Sequence, residues 1–164
     1  MLYVVMGVTG SGKSTVGEAL AARLGVPYGD ADDFHSAANV AKMSDGVPLT
    51  DEDRLPWLRT IGAWLVGHRD TGAVATCSAP RRVYRDTLRE PAPDAVFVHL
   101  HGDRETARAR VSGRRGHFMP SSLVDSQFDT LEPLGADERG LVLDMALPVD
   151  VLVDEVVRAS SAAR

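Results

Sequence analysis

Gly7-Val8-Thr9-Gly10-Ser11-Gly12-Lys13-Ser14 sets glycine, four residues, then Gly-Lys-Ser, with Thr15 following. That spacing suits a loop that wraps phosphates. Gly7, Gly10 and Gly12 let backbone N–H groups turn tightly and approach phosphate oxygens, with Val8, Thr9 and Ser11 completing the cradle. A helix opening near Lys13 would add the positive end of its dipole. Lys13 would reach the β- and γ-phosphates, and the Ser14 hydroxyl would face a magnesium ion. The chemistry implied is binding and transfer from a nucleoside triphosphate. The loop alone leaves the acceptor of the phosphoryl group open.

An acceptor hydroxyl needs a group to orient or deprotonate it. Asp30-Ala31-Asp32-Asp33-Phe34-His35 is the first candidate. At a strand end Asp30 and Asp32 would point the same way. Asp32 is assigned as base or orienting residue, and Asp30 acts on magnesium through water. A second cluster is cationic: Arg104, Arg108, Arg110, Arg114 and Arg115 fall within twelve residues. They form either a solvated helix face or a set of cations that meets a polyphosphate.

These groups need a scaffold, and the chain supplies alternating strand-like and helix-like runs. Strands are expected at Leu2–Met6, Pro27–Gly29, Ala73–Cys77, Ala95–Leu100 and Leu141–Asp144. Helices are expected at Lys13–Leu24, Ala37–Met43, from a Thr50 cap to about His68, at Arg81–Arg89, Arg104–Val111, Ser121–Leu131 and Val149–Ala159. Val16, Leu20 and Leu24 carry the four-residue spacing of the first helix. Alternation of this kind predicts an α/β fold with a parallel sheet covered on both faces.

Composition narrows the class further. The 164 residues fit a single domain, 1–164, with a real core, and leave little room for motor or transporter machinery. A net charge of −5 argues against a general nucleic-acid binder, and the arginine run lacks interleaved aromatics. No apolar run is long enough for a membrane span. No basic leader precedes Leu2, and the single cysteine, Cys77, fits a reducing cytoplasm.

Beyond the loop, the run Asp30 to His35, Asn39, Lys42-Met43, Gly46, Pro48-Leu49, Asp51, Asp53-Arg54 and Pro56-Trp57-Leu58 resembles the gluconokinase family. So do Cys77-Ser78-Ala79, Tyr84-Arg85-Asp86, Leu88-Arg89, Gly116-His117-Phe118-Met119, Gln127-Phe128 and Leu131-Glu132. The resemblance runs from Tyr3 to about Asp144. It implies a nucleotide-kinase-like P-loop fold with five parallel strands, the first central, and a mobile lid at about 112–122. It further implies ATP and magnesium as cofactors, D-gluconate as the small-molecule substrate, and a homodimer.

Gluconate is an anionic polyol, and a bidentate arginine is the natural partner of its carboxylate. Arg54 and Arg85 stand at family-matching positions as candidates. Arg81 joins the substrate-binding set, and His35, Ser78, His117 and Gln127 are candidate hydroxyl partners. Trp57 reads as core. In the lid, Arg110 would stack on adenine or contact phosphates, and Arg114 would stabilise charge on the transferring group. Closure would exclude water.

Some positions depart from the family pattern. Pro80 follows Cys77-Ser78-Ala79, where it would sit at the first helical position. Ser36 and Leu134 stand where prolines are common, and Ala31 where glycine is frequent. The rival readings are a kinase of shikimate or a nucleoside monophosphate, a nucleotide-binding regulator without turnover, and an RNA-binding protein.

Overall fold

The computed structural model describes residues 1–112 and 121–162. Five strands, β1 (Leu2–Met6), β2 (Tyr28–Asp30), β3 (Ala73–Thr76), β4 (Val96–His101) and β5 (Gly140–Asp144), form one sheet in the order β2-β3-β1-β4-β5. All neighbouring pairs are parallel. The expected sheet with a central first strand is therefore present.

The helices are α1 (Lys13–Leu24), α2 (Ala37–Ser44), α3 (Asp51–Gly67), α4 (Arg82–Arg89), α5 (Arg104–Ser112), α6 (Ser121–Thr130) and α7 (Val149–Ala162), with a single 3₁₀ turn at Ala31–Phe34. Parallel strands need crossovers, and those crossovers cover both faces. β1 shows the result. Tyr3 and Val5 enter one core with Val16, Leu20 and Leu152; Leu2, Val4 and Met6 enter the other with Leu58, Ile61 and Leu88. A strand buried on both sides must be apolar throughout, as LYVVM is.

Helix ends follow local chemistry. Thr50 and Asp53 form a reciprocal capping box at the start of α3: the Asp53 amide donates to Thr50 Oγ1 at 3.2 Å and the Thr50 amide to Asp53 Oδ2 at 2.9 Å. Pro80 behaves differently from expectation. α4 begins at Arg82 with Arg81 as its N-cap, so Pro80 precedes the helix. Ala79 is held at φ +40°, a left-handed conformation that the following proline disfavours. Two hydrogen bonds fix this corner: Arg85 Nη1 donates to the Ala79 carbonyl at 3.0 Å, and the Glu132 amide to the Pro80 carbonyl at 2.6 Å.

Arg85 is fully buried and meets Glu138 along two bonds, Nε to Oε1 at 2.8 Å and Nη2 to Oε2 at 3.1 Å. Nη2 also donates to the Pro133 carbonyl at 3.3 Å, and the Gly135 amide donates to Glu138 Oε2 at 2.7 Å. The pair thus ties the corner before α4 to the chain between α6 and β5. Burial opposes the Glu138 charge, yet bonds from Arg85, the Gly135 amide and Arg89 outweigh it and hold this carboxyl at about 2. Among the described residues no helix is long and apolar enough to cross a membrane.

Glu138→Gln strands a buried guanidinium and is expected to cost about 3–5 kcal/mol at neutral pH, read from urea midpoints. The folded-state carboxyl lies below its ordinary value of 4.5, so its contribution is complete above that value and is lost as pH falls toward about 2. The stability gap between wild type and variant should close over that window. A gap that persists at pH 2 would remove the ion pair as its cause.

Candidate active site

The phosphate loop joins β1 to α1. Gly10 and Gly12 hold φ of +87° and +90°, a region that side-chain-bearing residues rarely adopt. A methyl group at Gly10 would also lie 2.8 Å from the Ala107 carbonyl oxygen of α5. The Ser11 amide closes the turn on the Val8 carbonyl at 3.1 Å. No side chain caps α1, so its first-turn N–H groups and dipole are directed at whatever anion the loop encloses. Lys13 and Ser14 open that helix, with Thr15 next, exposed.

Arg110 braces this loop. Its Nη1 donates to the carbonyls of Gly10 and Ser11 at 3.3 and 3.2 Å, and its Nη2 to the Met145 carbonyl at 2.7 Å. The structure places the guanidinium on loop carbonyls, where the sequence had suggested stacking on adenine or contact with phosphates. Arg104 and Arg108 are engaged as well, pairing with Asp125 and Asp129 on α6. Arg114, His117 and most of the expected lid lie outside the described residues.

The acidic turn follows β2. Asp30 caps it, its Oδ1 accepting the Asp32 amide at 2.9 Å. Trp57, expected as core, holds the turn from α3: its indole N–H donates to the Ala31 carbonyl at 2.7 Å. Its ring stacks on His35, with centroids 4.2 Å apart and planes 13° from parallel. Burial lowers the His35 pKa, Asp32 acting against the shift and Arg54 with it.

No group of three or more His, Cys, Asp or Glu is placed to cage a metal among the described residues. A hydroxyl at Ser14 and a carboxylate at Asp30 instead offer a few hard oxygens. That donor set suits magnesium, which keeps most of its shell as water and phosphate oxygen.

One cleft of about 570 Å³ runs from the start of the phosphate loop to Asp32 of the acidic turn, and Lys13, Ser14 and Asp30 are not among its lining residues. Gly7 and Val8 form its donor end; Asp32, His35, Arg54, Ser78 and Gln127 line the rest. The Thr9 amide donates to Gln127 Oε1. An amide N–H can only donate, so the Gln127 oxygen faces the loop and its NH₂ group is left for another partner. Arg54 Nη1 donates to Tyr84 Oη at 3.2 Å, and Tyr84 donates to Asp51 Oδ1 at 2.7 Å. This is the only hydrogen bond of the Arg54 side chain among the described residues.

The other two expected arginines do not line the cleft. Arg81 lies over the Tyr84 ring at 5.3 Å and pairs with Asp51 at 3.2 Å. Arg85 is a correction: its guanidinium is consumed by Glu138 and two backbone carbonyls, fully buried, and cannot receive a substrate carboxylate. Arg85 and Arg54 both stood at family-matching positions, and the acidic partner that distinguishes Arg85 is far away in sequence. Tyr84, which lines the cleft, and Asn39, which contacts His35, were not among the expected site residues. For Asn39 a usable signal was its place four residues after His35, the distance of one helical turn. Cys77 beside the cleft is raised by burial to about 12, so it is a neutral thiol.

The chain matches the shikimate kinase family model over residues 9–139. It is 46% identical over 160 residues to the gluconokinase of Gluconobacter oxydans (strain 621H), covering 94% of this chain and 88% of the relative. It is also 46% identical over 143 residues to the thermosensitive gluconokinase of Escherichia coli (strain K12), covering 85% and 76%. A crystal structure of a gluconokinase from Sinorhizobium meliloti 1021 superposes with a TM-score of 0.86 at 45% identity, covering 99% of this chain and 92% of that one. A shikimate kinase from Bacteroides thetaiotaomicron shares the fold alone, with a TM-score of 0.68 at 15% identity. A phosphate loop and Asp32 on one cleft, joined to relatives this similar over three quarters or more of their length, place the chain in the gluconokinase family, among the shikimate-kinase-like P-loop kinases.

Proposed function

We propose that the protein transfers the γ-phosphoryl group of ATP to the 6-hydroxyl of D-gluconate, a step of sugar-acid catabolism. The observation that carries this reading is the single cleft in which loop residues Gly7 and Val8 share walls with Asp32, His35 and Arg54. The loop amides and Lys13 hold the phosphates. Magnesium, when bound, neutralises charge on the phosphate oxygens, held by Ser14 and, through water, by Asp30. Asp32 takes the proton of the attacking hydroxyl as the O6–phosphorus bond forms and the bond from the γ-phosphorus to the departing ADP oxygen breaks.

Arg54 is the cation for the gluconate carboxylate. Tyr84 orients it: the phenol oxygen accepts from Nη1 while its own proton goes to Asp51. Asp51 is held below its ordinary pKa by that Tyr84 bond and by Arg81, so it stays an acceptor. Ser78, the Gln127 NH₂ group and His35 supply hydrogen bonds to the hydroxyls. Arg114 and His117 remain proposals for the closed lid.

An acceptor screen with coupled detection of ADP tests the reading: turnover with gluconate is expected, and turnover with shikimate or AMP in its absence would overturn it. Asp32→Asn should lower kcat by about 10²–10⁴-fold with ATP affinity kept; unchanged turnover would remove Asp32 from its role. Lys13→Ala should weaken both ATP binding and kcat. Arg54→Gln should raise KM for gluconate by about 10- to 100-fold with KM for ATP unchanged. Trp57→Phe keeps the stack on His35 and loses the bond to Ala31. It should lower kcat more than it raises KM for ATP, and equal changes in both would point to general disorder instead.

A further inference from the structure

Asn39 lies on α2, only 5% exposed, outside the cleft lining. Its Nδ2 is 3.1 Å from the Asp53 carbonyl and 3.3 Å from His35 Nδ1. A carbonyl oxygen can only accept, so the Asn39 atom facing Asp53 is the NH₂ nitrogen. That group has two protons and no usable lone pair. One proton goes to Asp53, and the other meets His35 Nδ1, which must then present its lone pair. The neutral ring therefore carries its proton on Nε2.

The remaining contacts hold the imidazole in place. Ser36 Oγ accepts the Asn39 amide at 3.1 Å, fixing the start of α2. Asp53 is fixed by the capping box and by Lys42 Nζ at 2.7 Å, so its carbonyl is a stationary anchor. Trp57 covers one face of the ring. Among the described residues Nε2 has no hydrogen-bond partner, and the ring lines the cleft. The charged groups that act on the ring are Asp32 from the turn after β2 and Arg54 from α3.

We infer that Asn39 is a positioning residue for the acceptor. It locks His35 in the Nε2–H tautomer, so that His35 offers the substrate a hydrogen-bond donor and not a base. Resting on the proposed gluconate reaction, this makes the His35 contact selective for an acceptor oxygen, a hydroxyl or carboxylate lone pair. It also leaves Asp32 as the only described proton acceptor on that wall.

The test separates the two readings because its first readout needs no substrate. Full-length protein labelled with ¹⁵N-histidine gives the tautomer from long-range ¹H–¹⁵N correlations, with His35 assigned by the peaks missing in His35→Gln. The wild type should show a protonated Nε2 and a bare Nδ1. A proton on Nδ1 in the wild type would overturn the inference, even if every Asn39 variant failed to fold. Asn39→Leu should give a mixture of tautomers and raise KM for gluconate about tenfold, with KM for ATP unchanged. Asn39→Asp replaces donors with acceptors at equal size and should draw the proton to Nδ1. An Asn39→Leu protein that keeps both the pure tautomer and the wild-type KM would also overturn it. A correct spectrum with no gluconate turnover would sink the gluconate reading alone.

Discussion

Parallel strands end at one edge, and the phosphate loop, the acidic turn and Ser78 all hang from that edge. The loop Gly7–Ser14 follows β1, the acidic turn follows β2, Ser78 follows β3, and the arginines of α5 follow β4. The strand order adds a distance. β2 and β1 are separated by β3, two strand spacings, or about 10 Å. That gap separates the end of β1, where the phosphate loop begins, from the end of β2, where the acidic turn begins. Cys77 fills the gap at the end of β3, and the fields of Lys13, Asp32 and Asp30 all reach its thiol. A small neutral side chain suits that position, since a charge there would bind one side and repel the other.

How legible each part was depends on how local its physics is. The loop was fully readable because glycine conformation, helix start and phosphate geometry are set within eight residues. The acidic turn was legible only in part: Asp30 and Asp32 were expected to point the same way from a strand end, whereas Asp32 lies in the 3₁₀ turn that Asp30 caps. Strand order was beyond the pattern of alternation, since alternation fixes parallel pairing and leaves neighbours open; it came from the family resemblance. Arg85 shows where local reading stops. It and Arg54 are both arginines on helices facing the same end of the sheet. Only the fold brings Glu138 to Arg85, and only the fold leaves Arg54 beside a phenol. Pro80 failed for a related reason: Arg85 holds the Ala79 carbonyl and delays the helix past the proline.

The acceptor wall also shows how few rigid parts are needed to aim several flexible ones. α3 begins with a capping box, and from that fixed start three residues reach out. Asp53 offers its carbonyl to Asn39, Arg54 reaches the cleft, and Trp57 holds both the acidic turn and the His35 ring. The cap contributes about 1 kcal/mol to helix stability by itself. Its larger consequence is positional, because a frayed first turn would release all three contacts together.

Charge sets the last constraint. Both proposed substrates are anions, and the protein carries a net charge of −5. Long-range attraction therefore contributes little, and screening beyond about 8–10 Å removes most of what remains. Among the described residues Arg104, Arg108 and Arg110 are spent on Asp125, Asp129 and the loop carbonyls. Among the described residues binding rests on short-range donors: the uncapped start of α1, Lys13, and Arg54 held by Tyr84. Such donors gain strength when water leaves the cleft. An acidic protein can thus select a polyanion and a sugar acid together, provided that its few cations and N–H groups are fixed before the substrates arrive. The bonds from Asn39, Trp57, Tyr84 and Arg110 do that fixing.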